Sequence, residues 1–305
     1  MRFQSTLFVL LCSLSLTAQY YEVGAFIGAA NYTGELNNNA GLFPAEYNPA
    51  IGIFTRYNFS RNFSAKVGLT KGQISGDDSN SNDTRIRARN LSFRADIVEI
   101  AAQAEFNLLP YAIREDKISA PYLFLGVGGY YFNPQAQMRG NWYDLQPLGT
   151  EGQGNTLLSD QPKYSKYQVS FPIGLGFKFN LNHKVNIGFE VGARRTFNDY
   201  LDDVSGKYPD LAVLRKDAPV AAALSFRTPE LEGSPLPNPV GQLRGNPDDQ
   251  DWFFFMGMTI SVNMTDKYGL DFDEKYDIFK SEETNEWAIK FKNKKSKIRK
   301  KKKSE

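Results

Sequence analysis

The chain has 305 residues, of which 41% are apolar, 14% aromatic and 23% charged. Beyond the N-terminal segment no stretch approaches the ~20 consecutive apolar residues of a membrane-spanning helix, which excludes a helical membrane protein, and the aromatic content argues against disorder over most of the chain. The net charge of +2 hides an asymmetry, because residues 290–305 carry ten basic side chains and one acidic one. That segment is +9, which leaves −7 for the rest of the chain.

The N-terminus has the pattern of a secretory signal peptide. Arg2 is followed by an apolar run from Leu7 to Leu16, and Ala18 is a small residue suited to cleavage. The sequence therefore predicts a signal peptide at residues 1–18. The single cysteine, Cys12, lies inside it and lacks the small preceding residue that a lipoprotein signal would have, so the mature chain is expected to contain no disulfide.

Period-two alternation then recurs along the chain. In residues 167–180, apolar side chains occupy every second position and small or polar ones the positions between, and residues 185–194 repeat the pattern. Successive side chains of a strand point to opposite faces, so each segment has one apolar and one polar face. Eight such segments are predicted, at roughly 20–31, 49–59, 62–73, 90–107, 121–132, 166–180, 184–197 and 252–263.

The connections between these segments alternate in length. Two are tight turns and a third is moderate, whereas those at 32–48, 74–89, 133–165 and 198–251 are long and polar. Outer-membrane barrels combine short periplasmic turns with long external loops in this way. The prediction is an all-β, eight-stranded antiparallel transmembrane β-barrel over residues 19–263, with a C-terminal periplasmic extension over 264–305. A soluble β-protein with an aromatic core is the alternative.

Two details of the strands extend this prediction. Aromatic residues gather at the strand ends, as expected of girdles at the membrane interfaces; they are Tyr20, Tyr21, Tyr57, Phe59, Tyr130, Tyr131, Phe132, Trp252 and Phe253. In the fourth segment the apolar positions change from odd to even numbers at Ile97 and Val98. A β-bulge there would keep both apolar sets facing lipid, so a bulge or kink is predicted.

The polar face of the barrel is expected to hold a balanced set of charges. Eight strands leave a lumen that side chains can fill, and unpaired charge there would be costly. The predicted inward groups are Glu22, Arg56, Lys66, Arg94, Asp96, Glu99, Glu105, Lys178, Glu190 and Arg194. A structural plug of ion pairs is the expectation, and a proton or small-ion path is the alternative.

The sequence shows few groups of residues that could catalyse a reaction or bind a metal ion. His183, the only histidine, lies in a predicted turn and has no identifiable serine partner for hydrolase chemistry, so the sequence predicts neither an enzyme nor a cofactor. Asp199, Asp202 and Asp203 lie together in the fourth long loop, but their spacing lacks the alternation and closing Glu of a standard calcium loop. Loop capping is the expected role, and a divalent cation site stays open as the alternative.

Two segments are candidates for partner binding. Trp142 and Tyr143 are unusually apolar for a solvated loop, which fits either a binding surface or packing over the barrel mouth. The second is the C-terminal extension over residues 264–305, which we call the tail. It combines aromatic and basic residues, and its candidates are Trp287, Phe291, Lys294, Lys295, Lys297, Arg299 and Lys300. A flexible extension is one interpretation; binding an acidic partner, a cell-wall polymer or a periplasmic protein is the other. Nucleic acid is not expected in that compartment.

Three strings resemble the PorG-type outer-membrane barrels: Tyr21–Glu35, Trp142–Gly154 and Arg194–Ser205. The resemblance spans most of residues 20–263 and excludes the basic tail. That family is associated with the type IX secretion system, which in some bacteria supports gliding. The resemblance implies an accessory barrel in the outer membrane, surrounded by lipid, that contacts the periplasmic ring proteins of the machine or other outer-membrane secretion subunits. A small transport barrel and a surface-binding barrel are the alternatives.

Overall fold

Each alternating segment of the sequence forms a strand of one antiparallel sheet. The computed structural model describes residues 20–37, 46–111, 119–182, 184–231 and 239–264. The strands are β1 (Tyr20–Thr33), β2 (Asn48–Asn58), β3 (Phe63–Asp77), β4 (Ser92–Asn107), β5 (Ser119–Met138), β6 (Asn141–Asp144), β7 (Tyr167–Asn182), β8 (Val185–Arg195) and β9 (Trp252–Met264).

Eight of these strands close into a barrel. The sheet order is β4-β3-β2-β1-β9-β8-β7-β5, and β4 pairs with β5 to complete the ring, while the short β6 extends β5 at one end. The first and last strands pair from Tyr21↔Met264 to Thr33↔Trp252. Closure removes the free edges of the sheet, which is how a β-structure satisfies its backbone within lipid. The predicted eight-stranded antiparallel barrel is confirmed.

The outer face carries a belt of exposed apolar side chains. Its members include Val23, Ile27, Ile51, Ile53, Val67, Leu69, Ile100, Leu123, Leu125, Val127, Val169, Ile173, Leu175, Met258, Ile260 and Val262. So large a continuous apolar surface is unfavourable in water and matches the hydrocarbon region of a bilayer. The barrel is therefore membrane-spanning. Among the described residues, no helix has both the length and the apolar character needed to cross a membrane.

The belt ends at a polar level near the long loops. On the outer face Asp96 lies opposite Asn133 in the register of β4 and β5, and Asp96 forms an ion pair with Lys71 at 3.3 Å. We call this side of the barrel the loop end and the side with the short connections, between β2 and β3 and between β7 and β8, the turn end. At the turn end the rings of Tyr21 and Tyr57 lie 4.7 Å apart on the outer face.

The interior changes character along the barrel axis. Toward the turn end it is filled by charged and amide side chains, and toward the loop end by an apolar cluster that includes Phe93, Ile97, Phe132 and Phe253. Above the lipid belt the barrel thus resembles a soluble one, with an apolar inside and a polar outside. Three of the aromatics expected in interfacial girdles, Tyr130, Phe132 and Phe253, lie inside it instead.

This reversal explains why the predicted bulge in β4 is wrong. The pairing of β4 with both neighbours runs without interruption through Ile97 and Val98. Phe93, Ala95 and Ile97 are buried and point inward, so the odd-numbered apolar set belongs to the core of the loop end. The apolar face changes in the sequence because the environment of the strand changes, and no residue is inserted.

The long loops contain short helices. They span Thr84–Arg89, Leu145–Leu148, Leu211–Asp217 and Pro219–Ser225. Asp210 begins the third by accepting hydrogen bonds from the amides of Ala212 and Val213, as expected of an N-cap residue. Leu36, Leu145, Leu201 and Leu224 of the loops join the apolar cluster inside the barrel. The loops therefore fold over the mouth as a cap continuous with the barrel core.

Candidate functional site

Arg56 is the centre of a charged network inside the lumen. Its Nη1 lies 2.8 Å from Glu22 Oε2, its Nε 2.9 Å from Glu105 Oε2 and its Nη2 3.4 Å from Glu190 Oε1. Only 2% of the Arg56 side chain is exposed. A planar guanidinium suits this position because its donors point in several fixed directions at once. One arginine thereby joins carboxylates from three separate strands.

Two lysines complete the network. Lys66 Nζ lies 2.6 Å from both oxygens of Glu190, and Lys178 Nζ lies 2.6 Å from Glu105 Oε2. Neutral groups satisfy other positions: the Tyr122 hydroxyl donates to Glu190, and Asn58 donates to Glu22 at 2.8 Å. Each of the three carboxylates in this network therefore contacts a cation and at least one further group, which is either a second cation or a neutral donor.

A second, smaller pair lies nearer the loop end. Arg194 Nε is 3.2 Å from Glu99 Oε2, and Ser170 donates to the other Glu99 oxygen at 2.8 Å. Counting both groups, the buried lumen holds four carboxylates (Glu22, Glu99, Glu105 and Glu190) against four cations (Arg56, Lys66, Lys178 and Arg194). The set is electrically neutral, as a narrow interior requires.

Aromatic rings close the space between the charges. Arg56 lies 5.1 Å from the centroid of Phe54, Lys178 4.5 Å from that of Tyr122, and Arg194 4.5 Å from that of Phe255. Facing glycines make room for the rings: a Cβ on Gly176 would lie 2.4 Å from Tyr122 Cζ. The cavity between the two ionic groups measures about 30 Å³, room for about two water molecules. The side chains fill the lumen.

Two of the ten predicted lumen charges lie outside it. Arg94 and Asp96 are on the outer face of β4, since the odd-numbered side chains of this strand point inward. Arg94 lies 3.5 Å from the ring centroid of Trp142 and Asp96 pairs with Lys71. The sequence assigned them inward because it treated the apolar residues beside them as lipid-facing. The other eight are buried in the interior.

The loop cap has its own buried charge centre. We use the name loop cap for residues 34–37, 78–91, 139–166, 196–231 and 239–251. Arg244 forms an ion pair with Glu151 at 3.0 Å and both side chains are buried. Glu151 also accepts hydrogen bonds from the amides of Ser205 and Gly206, at 3.0 and 2.9 Å. This centre joins the third and fourth long loops.

The three aspartates of the fourth loop, for which loop capping is the expected role and a shared cation site the alternative, do not form one site. Asp202 accepts hydrogen bonds from the Tyr32 hydroxyl and the Val204 amide. Asp203 accepts them from Thr150 and, at 2.7 Å, from Tyr164. Burial raises the pKa of Asp203 to about 7, although the Arg244 guanidinium opposes the shift. These two therefore serve to hold loops together, and Asp199 stands apart from them.

Asp199 lies in a different acidic cluster, formed with Glu35 and Asp251. One carboxylate oxygen of each lies within 4.8 Å of one oxygen from both others. Burial raises the pKa of Glu35 to about 10 and that of Asp199 to about 7, with the Asp202 carboxylate adding to both shifts. Burial and the neighbouring carboxylates also hold the pKa of Asp251 well above its ordinary range.

Of the predicted partner-binding residues, the structure describes Trp142 and Tyr143. The Trp142 side chain is exposed, at 41%, and stacks on Arg94 at the rim of the barrel, whereas Tyr143 packs against the apolar cluster. The tail residues from Trp287 to Lys300 lie outside the described residues, as do the predicted signal peptide and His183.

Sequence reasoning missed several groups that complete these centres. Asn58, Asn180 and Asn186 line the lumen at the turn end, and Asn180 donates to Asn186 at 2.6 Å. Their positions on the polar face of the alternating pattern were a usable signal. Glu35, Glu151, Arg244 and Asp251 have no such signal, because they come together only through loop packing.

Comparison with known proteins gives a family match and a fold likeness. The profile of a family described as "Domain of unknown function (DUF6089)" matches residues 1–148. The search of curated proteins finds no match. Among solved structures, the chain is similar to Ail, the attachment invasion locus protein of Yersinia pestis, at 8% identity, covering 81% of this chain and 99% of that one, with a TM-score of 0.38.

Two further solved structures are similar in the same way. Neisserial surface protein A is 8% identical, covering 80% of this chain and 97% of its own, with a TM-score of 0.38. OprG from Pseudomonas aeruginosa is 8% identical, covering 82% and 96% respectively, with a TM-score of 0.35. Identities this low assign no role to any residue of this chain.

Proposed function

We propose that this protein is a sealed, non-enzymatic barrel of the bacterial outer membrane that anchors other proteins there. The filled lumen is the observation that carries the proposal. A conducting barrel needs a water-filled channel, which porins of about 16–18 strands enclose, whereas the interior of an eight-stranded barrel is just wide enough for side chains to fill. Here eight strands enclose neutralised charges, aromatic rings and a cavity of about 30 Å³, with folded loops over the mouth.

The surfaces left for function are therefore the loop cap and the tail. If the chain enters from the periplasm, eight strands return it there, so the tail lies in the periplasm and the long loops outside the cell. The tail is +9 over residues 290–305, which suits an acidic partner. Together with the resemblance to PorG-type barrels, this supports a role as an accessory subunit of the type IX secretion machinery that couples the periplasmic ring complex to the outer membrane.

The sealed lumen is tested by electrical recording. We expect the full mature chain in planar bilayers to show no persistent conductance, because the buried ion pairs and rings leave no continuous water column. A 16-stranded porin reconstituted in the same bilayers is the positive control. A stable, ion-selective conductance would contradict the sealed lumen and favour the alternative of a small transport barrel.

The anchoring role is tested by co-purification from gently solubilised membranes. We expect the full chain to recover periplasmic secretion proteins and the chain lacking residues 265–305 to lose them, because the tail supplies the periplasmic surface. All eight strands end by Met264, so the truncated barrel is expected to fold, which its heat-modifiable gel mobility checks.

A loop variant serves as the matched control. Trp142→Ala with Tyr143→Ala alters the outer surface and leaves the tail intact, so it is expected to keep the periplasmic partners. The opposite result, with partners lost in the loop variant and kept in the truncated chain, would contradict the proposal and favour a surface-binding barrel. Recovery of no secretion protein by the full chain would contradict it as well.

A further inference from the structure

Three carboxylates from separate parts of the chain meet at the base of the loop cap. Glu35 follows β1, Asp199 follows β8, and Asp251 directly precedes β9. One oxygen of each lies within 4.8 Å of one oxygen of both others. Asp251 is fully buried and Asp199 is 8% exposed. Three carboxylates this close, with Asp199 and Asp251 buried and Glu35 half-buried, repel one another when they are ionised unless a positive charge lies between them.

Most carboxylate oxygens of this cluster lack a hydrogen-bond donor. Four of the six are buried and accept no hydrogen bond of normal length and angle: Glu35 Oε2, Asp199 Oδ1, Asp199 Oδ2 and Asp251 Oδ1. The Ser205 hydroxyl lies near Asp199 and opposes the rise of its pKa. Buried polar atoms of native proteins nearly always have a partner, and exceptions point to a missing ion or water. Within the described part of the chain, moreover, no Lys or Arg forms an ion pair with Glu35, Asp199 or Asp251.

The surrounding contacts hold these side chains in place without using the free oxygens. Glu35 Oε1 accepts from the Asn246 amide at 3.1 Å, and Asp251 Oδ2 accepts from the Leu201 amide at 2.9 Å. Gly34 permits the close approach of Asp251, since a Cβ at that position would lie 2.0 Å from Asp251 Oδ1. Each anchored carboxylate thus keeps its second oxygen available for a ligand.

We infer that Glu35, Asp199 and Asp251 form a Ca²⁺ site that ties the first and fourth long loops to the end of the barrel. Ca²⁺ takes six to eight oxygen ligands at about 2.3–2.6 Å, so two oxygens on opposite sides of the ion lie ~4.8 Å apart. The three oxygens all lie within that distance of one another. The four free oxygens supply about half of the ligands and water completes the set. Mg²⁺ demands a tighter octahedron at about 2.0–2.1 Å.

Terbium luminescence tests the site in the full mature chain. Tb³⁺ occupies calcium sites, and Trp252 directly follows Asp251, so tryptophan excitation should sensitise a bound ion. In chelator-treated protein in detergent we expect one Tb³⁺ per chain, displaced by Ca²⁺ at lower concentration than by Mg²⁺. Absence of displaceable emission would overturn the inference, and displacement by Mg²⁺ at the lower concentration would overturn the assignment to Ca²⁺.

Isosteric variants locate the ion. Asp199→Asn and Glu35→Gln are each expected to weaken Ca²⁺ binding at least ~10-fold, since each removes one ligand charge. Asp160→Asn, an exposed loop carboxylate outside the cluster, is expected to bind as the unaltered chain does. Equal affinity in Asp199→Asn and the unaltered chain would contradict the site. Heat-modifiable gel mobility of each variant checks that its barrel has folded. The number of Tb³⁺ ions bound per unaltered chain tests the site even if a variant fails to fold.

Discussion

Replacing Arg56 with Met is expected to lower the free energy of unfolding of the barrel by about 3–5 kcal/mol. Methionine has an apolar side chain of similar length, so the substitution preserves the filled volume. It removes the cation shared by Glu22, Glu105 and Glu190. Glu22 then has Asn58 and Ser261 as its remaining close partners. A buried carboxylate without a cation carries its desolvation cost uncompensated. Urea unfolding of the barrel in lipid vesicles measures the change.

The rim of the barrel offers a matched control. Lys71 forms an ion pair with Asp96, but the two side chains are 60% and 48% exposed. Lys71→Met is therefore expected to cost less than about 1 kcal/mol. If Arg56→Met cost no more than Lys71→Met, the lumen network would not stabilise the barrel as described.

A second substitution tests whether the cost comes from unpaired charge. Glu22→Gln keeps the shape of the side chain and removes the negative charge that Arg56→Met leaves unpaired. The double variant, Arg56→Met with Glu22→Gln, is expected to be more stable than Arg56→Met alone, because the net charge of the lumen returns to zero. Additive losses would instead indicate that packing of the Arg56 side chain between Phe54 and Tyr122 dominates its contribution.

Replacing Arg244 with Met is expected to open the loop cap while the barrel stays folded. Arg244 pairs with Glu151 at 3.0 Å and also donates to the carbonyl oxygens of Asp203 and Ser225. Its loss leaves the buried Glu151 carboxylate without a cation and two carbonyl oxygens without their donor, at a local cost of about 3–5 kcal/mol. Because these contacts lie in the loops, the cost falls on loop opening and leaves the strands untouched.

Hydrogen exchange measures this local opening. The amides of Ser205 and Gly206 donate to Glu151, so their exchange is expected to accelerate in Arg244→Met, while amides in β4 and β5 keep their protection. Arg215→Met, at an exposed position of the Leu211–Asp217 helix, should leave the exchange of both amides unchanged. Faster exchange throughout the barrel would show that the cap and the barrel unfold as one unit.

The limits of sequence reasoning are clearest in β4. Alternation located the strand, but the outward positions of Arg94 and Asp96 depended on how far the strand extends beyond lipid. The same alternating pattern gives an apolar outer face within the membrane and an apolar inner face above it. Local sequence does not show where along a strand the surroundings change from hydrocarbon to water, so an assumed lipid face produced both the wrong bulge and the wrong side for two charges.

The acidic groups of the fourth loop show a related limit. Asp199, Asp202 and Asp203 are neighbours in sequence, yet Asp202 and Asp203 bind loop hydroxyls and amides. Asp199 instead lies beside Glu35 and Asp251, which are distant in sequence. Sequence proximity could not reveal this grouping, because loop backbones have no fixed periodicity that sets the direction of each side chain.

The sequence by itself determined the number of strands, the closed barrel and the identity of most charges inside it, because strand side chains alternate with a fixed period of two and the membrane sorts them by polarity. The modest hydrophobicity of the whole sequence is the average of an apolar belt, a polar lumen and polar loops. Only the tertiary structure decided which carboxylates share Arg56, how the loops close the mouth and where Glu35, Asp199 and Asp251 meet. Those contacts join residues far apart in the chain, and their geometry is set by strand register and loop packing, which no local pattern encodes.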